Sequence, residues 1–332
     1  MIAASTALLI PRSRIASLLP MRDCIGAVEA AFLCEARGQT IPAGVLGTLV
    51  AGGGFHVKTA GLRGTRSYYA AKINANFPDN PRRSSRPTIQ GVLALYDAGD
   101  GTPLAIMDSG EITRLRTAAA TAVAAKYLAR AEAATATICG CGLQGRAQLE
   151  ALCVVRPIRA AFACDIDRER AREFATETSA AFGIDVRTVA DIADGASGSD
   201  VIVTCTSART VVLQSTDVRP GTFVAAVGAD SEDKQELAAA LLARSAVYVD
   251  VLEQCVRMGD LHHALHAGAM RVEEVRGDLA DLVSGKVLGR TDAAEVTIFD
   301  STGTALEDVA AAALVYERAL SAGMTTGVDL TS

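Results

Sequence analysis

At 332 residues the chain exceeds the length over which one hydrophobic core keeps growing, so two domains are expected. Half of the residues are hydrophobic and 21% are charged, which excludes a disordered chain. A formal net charge of −6, with no dense Lys/Arg run, excludes nucleic acid as a partner.

Arg12 and Arg14 interrupt the N-terminus early, so no signal peptide is expected. Up to about residue 115 the chain mixes a strand at Leu8–Ile10, a helix over Cys24–Ala36 and strand-like runs at Tyr68–Ile73 and Gly91–Tyr96. This zone has no strand–helix alternation and no obvious set of covering helices, so its exposed edges call for a partner copy. The alanine-rich segment Ala118–Ala125 is stopped by Lys126, and no apolar run reaches the roughly 18 residues of a membrane span.

From about 118 to 298 the alternation becomes regular. A strand begins at Thr135, a helix follows Gln144, and a strand over Arg159–Cys164 precedes a helix over Arg168–Phe182 stopped by Gly183. Further strands are expected at Val201–Cys205, Thr222–Gly228, Val247–Val251 and Val296–Phe299. Such a rhythm predicts a doubly wound parallel sheet. In Thr302–Ala322, Leu306, Val309, Ala313, Leu314 and Leu320 recur at helical spacing, which predicts an amphipathic helix placed to pack back onto the N-terminal zone.

Gly140, Gly142 and Gly145 stand in the spacing G-x-G-x-x-G between a strand and a helix-forming run. In a dinucleotide site these glycines provide a tight turn, close backbone approach to the pyrophosphate, and close packing of helix on strand. The helix N-terminus then meets the phosphate charge. Asp165 ends the next strand, twenty residues beyond Gly145, where a carboxylate accepts the ribose hydroxyls of NAD. Asp167 opposes a 2′-phosphate and Arg168 favours one, so NAD is expected and NADP is the alternative. His262, His263 and His266 include an i, i+4 pair, but no accompanying ligand set points to a metal. Cys139 and Cys141 suit small buried positions. Eight scattered cysteines without a C-x-x-C pair are expected to be reduced thiols of a cytoplasmic protein.

Five ordered stretches carry a resemblance that spans nearly the whole chain. They are Lys72–Asn80 (KINANFPDN), Ile112–Ala120 (ITRLRTAAA), the Gly140 turn, Gly228–Leu237 (GADSEDKQEL) and Phe299–Asp308 (FDSTGTALED). Together they resemble the ornithine cyclodeaminase/mu-crystallin family. The resemblance implies a discontinuous α+β substrate and dimerisation domain, residues 1–117 and 302–332, with a Rossmann-type NAD domain, residues 118–301, inserted between them. It implies a homodimer, and hydride transfer between a nicotinamide cofactor and the Cα of an amino or imino acid. Some such proteins are amino-acid dehydrogenases or imine reductases, and others are cyclodeaminases that recycle their own NAD while releasing ammonia. A non-catalytic dinucleotide-binding protein of mu-crystallin type is the third possibility.

On these motifs Lys72 resembles the family's substrate lysine, which holds the carboxylate beside Cα. From its residues alone it is a lysine at the end of an apolar strand. Arg116 resembles the arginine that reaches substrate and cofactor. Asp230 resembles the catalytic acid/base; alone, its Gly-Ala-Asp context is that of a turn aspartate. Thr302 falls at a substrate position. Thr88, Leu143, Gln144, Asp165, Thr206, Val227, Lys234 and Ser301 fall at cofactor positions alongside Gly140 and Gly142. Two departures stand out. Pro42-Ala43-Gly44 lacks the arginine that many members carry, and Lys58-Thr59 replaces the usual Met-Pro. Lys58, Arg63 or Arg66 is left to supply the missing contact to the substrate anion.

Overall fold

The structure is a computed structural model and describes residues 6–330. It divides into two compact units, one made of residues up to Arg116 and from Thr304 onward, the other of Thr117–Gly303. Thr302 therefore lies with the second unit rather than with the C-terminal segment.

The first unit opens with β1 (Thr6–Ile10), α1 (Arg12–Leu18), α2 (Met21–Ala36), β2 (Thr40–Val50), β3 (Gly53–Leu62) and β4 (Tyr68–Asn76). It continues with α3 (Asn80–Ser84), β5 (Ile89–Asp97), β6 (Pro103–Asp108) and the start of α4 (Ser109–Leu128). The long β2–β3 hairpin has no counterpart among the sequence expectations. Its turn sits at Gly52, whose φ of +82° is easily adopted only by glycine.

The second unit contains β7 (Thr135–Cys139), α5 (Leu143–Val155), β8 (Ala160–Cys164), α6 (Arg168–Phe182), β9 (Asp185–Thr188), α7 (Ile192–Ala196), β10 (Val201–Thr204) and β11 (Arg209–Leu213). After these come β12 (Phe223–Ala226), β13 (Gln235–Leu237), α8 (Ala239–Ala243), β14 (Ala246–Val249), α9 (Leu252–Cys255), α10 (Asp260–His266), β15 (Gly277–Asp278), α11 (Leu279–Ser284) and β16 (Thr297–Asp300). Eight of the strands form a parallel sheet in the order β15-β14-β16-β12-β10-β7-β8-β9. The strands β10, β12, β14 and β16 are buried on both faces, which is why they read as short apolar runs instead of alternating ones. Helix α6 has the expected span: the Asp167 side chain accepts from the amides of Glu169 and Arg170, and Gly183 ends the helix at φ +67°. From β7 the chain runs outward to β8 and β9, then returns to β10 on the other flank of β7. The β7/β10 boundary is thus the switch point where doubly wound sheets open a crevice at their carboxyl ends.

The chain closes with α12 (Ala305–Ser321) and β17 (Gly327–Asp329). In the first unit seven strands form one sheet, ordered β17-β1-β6-β5-β4-β3-β2. Helix α12 starts on a Thr304 cap, packs against β3 and β4, and is itself packed by α2. One face of this sheet is therefore covered within the unit by a helix from the far end of the chain, as the apolar spacing in Thr302–Ala322 predicts. The other face carries the cross-strand row Leu46–Val57–Ile73–Val92, of which Leu46, Ile73 and Val92 are exposed.

Candidate functional site

In the second unit the expected dinucleotide turn has a backbone only glycine permits. Gly140 has φ +103°, and a Cβ there would stand 2.7 Å from the Cys205 carbonyl oxygen. A Cβ on Gly145 would stand 2.2 Å from the Gly140 carbonyl oxygen, so helix α5 packs directly on the turn. A Cβ on Gly142 would meet nothing within 4 Å, which leaves open space above the N-terminus of α5. No acidic side chain occupies the first turn of that helix. Its amides thus face a concavity suited to a pyrophosphate.

Asp165 lies beneath the neighbouring turn, its carboxylate accepting from the amides of Cys141 (2.8 Å) and Asp167 (2.9 Å). Each oxygen keeps a second lone pair for a ribose hydroxyl. Ile166 beside it is fully exposed, as is most of Leu143. Arg170, which sequence reasoning did not name, stands 3.9 Å from Asp165 and 3.6 Å from Asp167.

Across the switch point, the loops after β10, β12 and β16 hold the remaining second-unit candidates. Glu236, which sequence reasoning missed, is wholly buried and accepts from the Thr206 amide (2.6 Å), the Thr206 hydroxyl (2.7 Å) and the Gly228 amide (2.8 Å). It therefore joins the Thr206 loop to the Gly228–Asp230 loop. Asp260 accepts from the amides of Glu236 (2.8 Å) and Leu237 (2.7 Å), and Asp300 from that of Leu261 (2.8 Å). Burial, reinforced by the charge of Glu236, pushes the Asp260 carboxyl up to about 7. Ser301 donates to Asp250 (3.0 Å), and Gln254 donates to the Thr302 hydroxyl (2.6 Å), so both candidates belong to an internal polar network. Val227 is buried and donates its amide to Thr204. Asp230 is half exposed, at 49%, and pairs with Lys234 at 2.6 Å, one helical-turn spacing along the chain. His263 contacts the Lys234 carbonyl oxygen (2.9 Å) and His262 that of Val256 (3.1 Å).

The first unit gathers its candidates around one carboxylate. Lys72 Nζ stands 2.6 Å from Asp308 Oδ2, and Arg116 Nε 3.0 Å from Asp308 Oδ1. Arg116 also donates to Glu307 (2.7 Å). Lys72 is 3% exposed and Asp308 1%, so these charges are out of water. Desolvation lowers the Lys72 ammonium to about 8 from its ordinary 10.5; Asp308 opposes the fall, while Arg116 and Lys58 add to it. The unfolded chain keeps that proton up to about 10.5 and the folded chain only to about 8, so Lys72 makes stability rise with pH across this window. Lys58 stands directly opposite Lys72 in the β3–β4 register. Arg66 pairs with Asp97 at 2.9 Å and lies over the Tyr68 and Tyr316 rings, and Arg63 is exposed at a strand end. Neither of these two accompanies Lys72. Thr88 precedes β5, its carbonyl oxygen accepting from the Phe77 amide (2.8 Å).

The model of the ornithine cyclodeaminase/mu-crystallin family matches residues 6–323. The alanine dehydrogenase of Archaeoglobus fulgidus is 36% identical over 314 residues, covering 95% of each chain. The structure of Thermococcus litoralis Delta(1)-pyrroline-2-carboxylate reductase in complex with NADH and L-proline superposes with a TM-score of 0.91 at 33% identity, covering 97% of this chain and 100% of the other. An archaeal alanine dehydrogenase dimer with bound NAD gives 0.93 at 34% identity, covering 98% and 99%.

Asp308→Ala strands the buried Lys72 ammonium, while Arg116 keeps Glu307, and the expected cost is about 3–5 kcal/mol of unfolding free energy. Urea unfolding measures it, and a loss below about 1 kcal/mol would show that water reaches the cluster and screens it.

Proposed function

The chain belongs to the ornithine cyclodeaminase/mu-crystallin family, and from that premise we propose an NAD-dependent oxidoreductase that moves hydride between the nicotinamide and the Cα of a small 2-amino or 2-imino acid. The observation that carries this is the glycine cradle at the switch point, open above Gly142 and floored by the N-terminus of α5. Two similar proteins, a pyrroline-2-carboxylate reductase holding NADH and an alanine dehydrogenase holding NAD, support the cofactor and the substrate class.

When bound, the cofactor supplies the two-electron acceptor or donor. The amides at the start of α5 hold the pyrophosphate, and Asp165 takes the ribose hydroxyls through its remaining lone pairs. Lys72 and Arg116 hold the substrate carboxylate as fixed donors. Asp230 accepts a proton from the substrate nitrogen as amine becomes imine and returns it in the reverse direction, while its ion pair with Lys234 fixes the carboxylate's position. Thr206, Val227 and Ser301 shape the cofactor side, braced by Glu236 and Asp250.

A second copy of the chain fits the exposed row Leu46–Val57–Ile73–Val92, because four neighbouring strands leave an apolar face in water. The dimeric archaeal alanine dehydrogenase supports that occupant. A reducing, cytoplasmic setting fits Cys139 and Cys164, which stand in register on adjacent strands as thiols.

Purified protein with NAD and L-alanine or L-proline is expected to accumulate NADH at steady state; a cyclodeaminase, which recycles its NAD, accumulates none. Asp230→Asn should lower turnover by roughly 100-fold with NADH affinity unchanged, as for loss of a general acid/base. Turnover near that of the parent would make Asp230 a turn residue only. Fluorescence titration should give tighter binding of NADH than NADPH, with Asp165→Ser narrowing the gap; a preference for NADPH would mean that Arg170 outweighs Asp165 and Asp167. Sedimentation should give a dimer that Leu46→Asp dissociates, and a parent protein that sediments as a monomer would contradict the proposed face.

A further inference from the structure

The histidines of α10 serve none of the chemistry above, yet two of them reach backbone carbonyls. His263 Nε2 stands 2.9 Å from the Lys234 carbonyl oxygen and His262 Nδ1 3.1 Å from that of Val256, while His266 is exposed. A carbonyl oxygen only accepts, so His263 carries a proton on Nε2 and donates it.

The bond from His263 falls on the edge of β13 that faces away from β11. Neighbouring residues of a strand aim their backbone groups at opposite edges. The Gln235 amide donates to the Ala208 carbonyl oxygen on the β11 side (3.2 Å), so the Lys234 carbonyl and the Glu236 amide point the other way. Helix α10 packs there in place of a third strand. Asp260 accepts from the amides of Glu236 and Leu237, and His263, three positions on and so on the same face of the helix, donates to Lys234. The helix is itself held by Asp300 at the end of β16, which accepts from the amides of Asp260 (3.3 Å) and Leu261 (2.8 Å). A line of hydrogen bonds therefore runs from the parallel sheet through α10 to the backbone of Lys234.

Lys234 is the residue whose ammonium pairs with Asp230. The loop between them is closed as a turn by the Lys234 amide, which donates to the Ser231 carbonyl oxygen (3.2 Å). Asp230 is half exposed, and an ion pair in contact with water contributes too little to order a loop by itself. Lys234 can therefore orient Asp230 only as far as its own backbone is fixed.

Building on the acid/base reading of Asp230 above, we propose that His263 is a positioning residue for the reaction: by fixing the Lys234 carbonyl it aims the Lys234 ammonium, and through it holds the Asp230 carboxylate where the proton of the substrate nitrogen is exchanged. The ring does this as a neutral hydrogen-bond donor and touches neither substrate nor cofactor.

The test compares the parent with His263→Phe, which keeps a ring but has no donor, and His263→Gln, whose amide nitrogen reaches the place of Nε2. In the oxidation of L-alanine or L-proline with NAD, His263→Phe should lower kcat roughly 3–10-fold, the range for one lost hydrogen bond, with KM little changed. His263→Gln should recover most of the loss. In an Asp230→Asn background His263→Phe should cost no further turnover, because the group it positions is gone. An equal loss in both backgrounds, or an equal loss in the Phe and Gln variants, overturns the inference. Amide hydrogen exchange read by mass spectrometry tests the clamp without turnover. Peptides covering 229–237 should exchange faster in His263→Phe than in the parent or His263→Gln, with β16 unchanged. That result together with a fully active Asp230→Asn protein supports the clamp and refutes only the acid/base reading of Asp230. Unchanged exchange at 229–237, or an increase spread over the whole second unit, overturns the clamp.

Discussion

Three distant stretches of chain meet at one buried carboxylate. Asp308 on α12 sits between Lys72 on β4 and Arg116 on α4, with almost no access to water. None of these charges is tolerable alone at that depth, so β4, α4 and α12 must come together for any of them to be buried. The same desolvation that makes the cluster costly makes it useful. A cation held out of water by a shared counter-charge binds a second anion more strongly than a solvated lysine does. Under the proposed function, stability and recognition of the substrate carboxylate rest on the same three side chains.

The second unit solves a different problem with the same currency. Where loops at the sheet's carboxyl edge leave backbone amides outside the ladders, buried carboxylates supply the acceptors. Glu236 ties Thr206 to Gly228, Asp260 takes the amides of Glu236 and Leu237, and Asp250 takes Ser301 and the Gly303 amide. Backbone donors satisfied in this way hold a loop as firmly as a ladder would, and charge-assisted bonds are the stronger kind. The cost appears as carboxyl groups displaced upward by burial, Asp260 and Asp300 among them.

What was legible in the sequence is what local chemistry determines. The helical run from Arg168 to the Gly183 stop is α6, and the spacing of Gly140, Gly142 and Gly145 announces the turn between β7 and α5. The β2–β3 hairpin was not legible, because one of its faces is apolar and bare and the other turns toward a helix from the opposite end of the chain. Alternation of apolar and polar side chains is confined to Phe55–Lys58, and β2 shows none, with glycines at 44 and 47 and apolar residues on both faces. Asp308 lay inside a quoted motif, yet nothing local marks it as the partner of a lysine far upstream. Glu236 and Asp260 were hidden for another reason: their partners are backbone amides, which every sequence contains and none displays.

The central claim is a hydride passing between nicotinamide and substrate Cα, and isotope transfer reads it directly. Protein is incubated with NADH carrying deuterium at C4 of the nicotinamide, in each stereochemical form, together with pyruvate and ammonia or with a cyclic 2-imino acid. The expected product is an amino acid with one deuterium at Cα, from one of the two labelled forms only. Consumption of NADH with unlabelled product from both forms, or no consumption with any substrate of this class, would contradict the claim.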